Sequence, residues 1–347
     1  MGIYIAIYIL LLIFSLFDFV DTKRRVVVLY WITSLMILFV GLRGESGIDS
    51  RTYIQFFNEN TDTIWNWNGL EKQYAEYGFY YLSVLIKSIC NNVDFYFLTI
   101  ACLTLPFLVK TLRSYSLLPV FGFCIYFIRF LPYRDMNQIR QGLAILIVVY
   151  ALKYLINGDN RKYILLTFLA ATFHYSIIAV LPFVFLYKKV ISYKKVFWIL
   201  IFSGVAGLVI GVILKKVLIS TGMQLFLAYI DTDNLGIANP MIYYQCTWCL
   251  FFFYFEQRLA NVQKGYYVFR NAYLYSTIIL LLTCNLGVIG GRLSTIFATC
   301  EVVIIPALIY SIRPRLVMYL GLVVTMSMFF YLNYLKMLEE ASGWIYF

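Results

Sequence analysis

"KRRVVVLYWITSLMILFVGLRGESGIDSRTYIQFF", residues 23–57, sets a basic turn, an uncharged apolar run and a charged lip in that order. The run from Val26 to Leu42 is bulky and carries no charged side chain, as a helix in hydrocarbon requires. The lip then gathers Arg43, Glu45, Asp49 and Arg51 within nine residues, punctuated by Gly44 and Gly47, in a chain that is 13% charged. A solvated loop explains such a cluster, and so does a site at the mouth of a membrane helix.

Outward from this stretch, the same pattern repeats. The 347 residues are 62% hydrophobic with a mean hydropathy of +0.80, against roughly half apolar and a quarter charged for a soluble domain. Continuous apolar runs near the roughly 20 residues that cross a bilayer recur along most of the chain. They do not alternate, which excludes a transmembrane barrel. The class is an all-α polytopic membrane protein, a single integral membrane domain over residues 1–347. Much of the net charge of +11 sits in short basic turns (Lys23-Arg24-Arg25, Lys188-Lys189, Lys194-Lys195), which orient a membrane protein with its basic side in the cytoplasm; nucleic acid is not a partner. The seven cysteines lie almost entirely in apolar runs, and Cys246 and Cys249 have no second ligand pair, so no metal is expected. Ile3–Val20 lacks a basic start and a cleavage signature and is expected to be a retained helix.

About ten spans are expected, at 2–20, 26–42, 94–110, 117–131, 139–156, 196–214, 241–257, 271–289, 293–312 and 316–336. With the 23–25 turn inside, the segments 43–76 and 218–240 are external loops; within the second, "MQLFLAYI" fits an interfacial helix, and Asp231 and Asp233 fall outside. Two pieces break the count. Segment 77–90 is short for a crossing and is expected as a partial or tilted helix at the outer face. Arg161–Tyr187 is too long for one span and basic at both ends. Two shorter helical pieces meeting near Phe173-His174-Tyr175 would return the chain to one side, and such a break at membrane depth needs protein or a watery cavity around it.

Ionisable groups at membrane depth usually face a cavity or a partner. The candidates are Arg43 at the end of the second helix, Arg129 and Arg134 around "RFLPYRDMNQIRQG", Arg140 at the start of the next helix, and Arg292 after "GVIGG". Arginines converging on the outer half of the membrane suit bidentate capture of phosphate oxygens; snorkelling to headgroups is the alternative, above all for Arg129 and Arg134. His174, the single histidine, could bind an anion or carry a proton, or sit as a satisfied buried imidazole. Glu301 fits a partner for an arginine inside the bundle. Asp49 and Glu76 are candidate bases, since a carboxylate among arginines is held ionised, whereas Glu45 and Asp62 fit loop charges in water. Tyr53, Trp65, Trp67, Tyr74 and Tyr77 could offer ring faces to sugars, with interfacial packing as the alternative.

These segments resemble a family. "RGESGIDSRTYIQFF" at 43–57, "EYGFYYLSVLIK" at 76–87, "MNQIRQGLAILIVVYALKYL" at 136–155, "RKYILLTFLAATFHYSIIAVLPFVF" at 161–185 and "GGRLSTIFATCEVVIIPALI" at 290–309 are similar, in order, to elements of EpsG-type and Wzy-like bacterial polysaccharide polymerases. The likeness is looser in the last helix, and the aromatic pair expected after Arg292 is absent. The resemblance implies an integral membrane glycosyltransferase of the C type. It would join undecaprenyl-diphosphate-linked repeat units on the outer face of the bacterial inner membrane, inverting, with no cofactor, nucleotide sugar or obligatory metal. On it, Arg43, Arg134, Arg140 and Arg292 hold the diphosphate, and Asp49 deprotonates the acceptor hydroxyl with Glu76 as alternate. His174 assists, and Tyr53 and Tyr77 meet the sugars. Partners would be the lipid-linked donor and acceptor and membrane lipids, with a chain-length regulator and a flippase as candidates. A lipid-linked oligosaccharide flippase would need the same arginines but should show paired repeats and a cavity open to both faces, which the sequence lacks. A membrane acyltransferase could use His174 as its base.

Overall fold

A computed structural model describes residues 2–20, 22–66, 75–221 and 236–339. Val26 to Val40 winds into α2 (Thr22–Gly41), preceded by α1 (Gly2–Ser15) and a 3-10 turn at Leu16–Phe19. Gly41 ends α2 where a Cβ would lie 2.6 Å from the Cα of Leu98, so the missing side chain lets two helices touch. The charged lip leads into α3 (Ser50–Glu59), and then come α4 (Tyr77–Ile89), α5 (Val93–Tyr115), α6 (Pro119–Arg129), the single turn α7 (Leu131–Arg134), α8 (Ile139–Ile156) and α9 (Asn160–Phe173). After a 3-10 run at Tyr175–Phe185 follow α10 (Tyr193–Ser220), α11 (Pro240–Tyr254), α12 (Glu256–Val262), α13 (Tyr266–Leu282), α14 (Gly287–Ala298), α15 (Glu301–Ser311) and α16 (Arg315–Glu339). No strand occurs among the described residues.

Among the described residues six helices are long and apolar enough to cross a membrane, and a seventh if α14 and α15, bent by 46° at their break, count as one. The chain is an all-α, multi-pass membrane protein. Three of the ten expected spans are shorter than a full crossing: α6 has 11 residues, α11 has 15 and α13 has 17. For α6 the cause is local. Pro119 starts it, and after Arg129 the backbone leaves helical geometry at Phe130 before Pro132 restarts a turn. Every residue of α6 is buried, against α1, α2, α5, α15 and α16. Its first turn is capped from outside the helix: Val120 and Phe121 N–H donate to the two carboxylate oxygens of buried Asp18 at 3.2 and 2.8 Å, which satisfies donors left open at a helix start.

The over-long stretch 161–187 folds as a hairpin. α9 stops at Phe173, His174 is extended, and the 3-10 run returns. Tyr187 Oη donates to Asn160 Oδ1 at 2.8 Å, so both ends lie on one side. Its tip meets the start of α4, where a Cβ on Gly78 would fall 2.2 Å from Thr172 Oγ1.

Residues 43–76 hold a helix as well as loop. α3, α4 and the start of α5 share a second aromatic core in which Phe57 stacks on Tyr96 at 4.4 Å. Lys87 Nζ donates to the carbonyls of Phe57, Asn58 and Thr61 at 2.7–2.8 Å, a cation placed on the open end of α3. Asp62, expected as a solvated loop charge, is instead 2% exposed and accepts from Tyr80 Oη at 3.3 Å, because the loop folds back onto α4. Glu45 does stay in solvent, paired with exposed Arg51 at 2.9 Å. Trp67, Tyr74, and residues 222–235 of the second expected loop, with Asp231, Asp233 and all of "MQLFLAYI", lie outside the described residues.

Candidate active site

The break after α6 has a consequence for charge. It leaves Arg129 at the end of α6 and Arg134 at the end of the short α7 that follows, and α14 brings Arg292 against them. The three arginines line a cavity of about 310 Å³ with Gln138, Thr295 and Asn333 as polar wall and Phe130, Tyr133 and Met241 as apolar wall. Arg129 Nε donates to Glu301 Oε1 at 2.8 Å, and its guanidinium lies 4.6 Å from the centre of the Tyr244 ring. Arg134 has neutral acceptors, Thr299 Oγ1 at 2.6 Å and the Thr295 carbonyl, and stacks 4.0 Å over Phe130. One carboxylate thus balances Arg129, while Arg134 brings a second charge that its hydroxyl and carbonyl partners do not neutralise. An anion with several oxygens would complete such a site.

Beside the cavity lies an acidic and imidazole cluster. Glu76 precedes α4 without capping it and pairs instead with Arg140 at 2.6 Å. Its other oxygen accepts from the Tyr175 N–H at 3.4 Å. His174 Nδ1 lies 2.7 Å from Ser176 Oγ. Gln141 Nε2 donates both to that hydroxyl at 3.3 Å and to the Arg292 carbonyl at 3.0 Å. The starts of α4 and α8, the tip of the broken hairpin and the start of α14 are thereby tied into one layer, which adjoins the cavity at Arg292.

Asp49 faces the same layer. It precedes α3 yet makes no side-chain cap bond; its N–H donates to Asn137 Oδ1 at 2.6 Å, and its carboxylate has no hydrogen bond or ion pair among the described residues. Burial pushes the Asp49 carboxyl above its usual range, and the charges of Arg292 and Arg140 pull it partly back. The loop that carries it is seated by Gly47, whose φ of +113° and approach to Met136 leave no room for a side chain: a Cβ would lie 2.3 Å from the Met136 carbonyl oxygen. Gly47 therefore lets the backbone approach the neighbouring turn rather than a ligand. Gly47→Ala is expected to lower stability by about 2 kcal/mol or more. Gly44→Ala, with a φ of +58° and open space around its Cβ, should lose about 1 kcal/mol. Thermal melts of the detergent-solubilised variants check both.

The structure brings together Asp49, Glu76, Arg140, His174 and Arg292 in one layer and Arg134 and Arg292 in the cavity. Two candidates are placed elsewhere. Arg43 is 2% exposed, donates to the carbonyls of Val40 and Asp135 at 3.1 and 3.4 Å, and lies 3.7 Å from the centre of the Phe97 ring. It pins the lip from behind. Tyr53 is 2% exposed among Phe56, Phe57 and Phe79, so its ring is spent on packing, while Tyr77 is 60% exposed. Arg129, weighed as a snorkelling side chain, is 8% exposed and lines the cavity. Gln141, 1% exposed and the link between both halves, was not singled out; its signal is a second polar residue beside Arg140 at the head of an apolar helix. Asn333, a lone amide in α16, gave the same kind of signal.

No solved structure matches the chain. It is 23% identical over 345 residues to "Amylovoran biosynthesis protein AmsC" of Erwinia amylovora, covering 90% of this chain and 89% of that protein. The model of the EpsG family matches residues 25–346, which contain the charged lip, the arginine cavity and the broken hairpin alike. With its sequence matched from the second helix almost to its last residue, the chain belongs to the EpsG family.

Proposed function

We propose that this protein is a polysaccharide polymerase that joins undecaprenyl-diphosphate-linked repeat units at the outer face of the bacterial inner membrane. EpsG membership and the likeness to a protein named for amylovoran biosynthesis support a role in polysaccharide biosynthesis. The observation that carries the finer reading is the three-arginine cavity adjoining an uncapped carboxylate. The basic residues 23–25 stand in the first turn of α2 and the charged lip follows its last residue, Gly41, about 24 Å further along the helix, which supports a site facing the periplasm or cell exterior with the basic end cytoplasmic.

In this mechanism Arg134, Arg292 and Arg129 bind the donor diphosphate. Asp49 takes the proton of the acceptor hydroxyl as its oxygen attacks the anomeric carbon. The bond from that carbon to the phosphate oxygen breaks, the configuration inverts, and the diphosphate leaves with its charge held by the guanidiniums. Glu76 fixes Arg140, His174 orders the hairpin tip beside them, and Tyr77 offers a ring to a sugar. Leaving-group charge falls to arginine in this scheme and no metal is assigned to it.

The test incubates purified protein with its lipid-linked repeat unit alone. A ladder of products without ATP or nucleotide sugar is expected; transbilayer movement without a ladder would favour a flippase. A pH profile tests the base. The rate should be present above the Asp49 pKa and lost as pH falls through it. Arg140→Gln removes a charge that lowers this pKa and unpairs Glu76, so the acidic limb should move to higher pH. A limb that stays or moves down would exclude Asp49.

A further inference from the structure

We infer that an apolar seam along α11 seats the isoprenoid tail of a lipid diphosphate whose head lies in the arginine cavity, an inference that rests on the diphosphate reading of that cavity. A crevice of about 550 Å³ runs between α11 and α16, walled by Tyr244, Trp248, Phe251, Met318, Leu322 and Phe329. It adjoins the cavity on both helices. On α11, Pro240 lines the crevice and Met241 the cavity; on α16, Phe329 lines the crevice and Asn333, one turn on, the cavity. The two share a wall, because the Arg129 guanidinium sits 4.6 Å from the Tyr244 ring centre and 5.5 Å from that of Phe329. At its far end the crevice shares Thr247 and Phe251 with a second apolar hollow of about 340 Å³, which reaches Tyr193, Tyr254 and Phe255.

The seam therefore follows α11 over its 15 residues, about 22 Å at 1.5 Å per residue, most of the roughly 30 Å hydrocarbon layer. Its chemistry is one-sided. Aromatic and aliphatic walls lead into guanidiniums, which fits one molecule with a multiply charged anionic head and a single long apolar tail. Gly321 leaves the crevice open: a Cβ there meets nothing within 4 Å. Filling this position should therefore block the seam without disturbing the packing behind it.

The probe is a polyprenyl diphosphate with a diazirine in its tail, photolysed with the purified full-length protein, and ladder formation is measured in parallel. Label is expected in residues 240–255 and 315–330, displaced by undecaprenyl diphosphate and not by phosphatidylglycerol. Gly321→Trp should lose about tenfold in labelling, as displacement of a few methylenes of tail implies. Leu320→Trp, exposed and outside the crevice, should label as the parent protein does. Label elsewhere, equal displacement by phosphatidylglycerol, or unchanged labelling of a folded Gly321→Trp overturns the seam; if Gly321→Trp does not fold, the label map of the parent protein decides alone. Label in the seam without ladders refutes the polymerase and leaves the tail seat. Ladders with label elsewhere do the reverse.

Discussion

Arg292→Ala is expected to slow ladder growth by about 10²- to 10³-fold, the loss found when one preorganised donor to a developing negative charge is removed. The Arg292 main-chain carbonyl holds Gln141 and the Thr295 hydroxyl, and alanine keeps that carbonyl. The side chain is half-buried and lines the cavity at the point nearest the Asp49–Glu76–His174 layer. Arg292→Lys keeps the charge but loses the planar fork, so it should fall between the two. Arg43→Ala makes the contrast. It removes donors to two carbonyls and a ring contact at a site 2% exposed, so its loss should appear in melting temperature first. Rates of ladder growth beside melts separate the two, and a normal ladder from folded Arg292→Ala would sink the diphosphate cavity.

The helical class is legible in the sequence because it follows from charge and run length. The broken hairpin is legible from charge and run length together: the 25 residues between the basic pairs 161–162 and 188–189 cannot cross once and keep both ends on one side. Helix length was less so. Whether 117–131 runs through or breaks at Phe130 depends on Pro132 and on how α15 and α16 fill the space around it, and neither shows in hydropathy. The arginines show the limit most sharply. Arg43 and Arg134 both stand at the ends of apolar runs, and only tertiary packing turns one onto its own helix end and the other into a cavity. Tyr53 was within reach: with Phe56 and Phe57 it falls at i, i+3 and i+4, the spacing of a packed helix face. Arg129 was not, since its worth depends on a partner 172 positions away.

That partner sets a second expected result. Glu301 is fully buried, accepts from Arg129 Nε at 2.8 Å and from Tyr273 Oη at 3.3 Å, and stands in the first turn of α15, while Arg129 stands in the last turn of α6. Each charge therefore sits at the helix end that favours its sign. Glu301→Ala leaves buried Arg129 without its carboxylate and the Tyr273 hydroxyl without its acceptor, so it should lower stability by about 3–5 kcal/mol and deplete the protein from membranes. Replacing both partners, Arg129→Met with Glu301→Leu, removes the stranded charge and keeps the volume, and should recover most of that loss. It should not recover polymer, because Arg129 lines the cavity and reaches the rings that begin the seam. A double variant that folds and polymerises normally would reduce Arg129 to half of a structural pair. One that folds and fails would place the buried pair on the functional side of the fold, with Glu301 as the residue that holds an arginine in reach of the diphosphate.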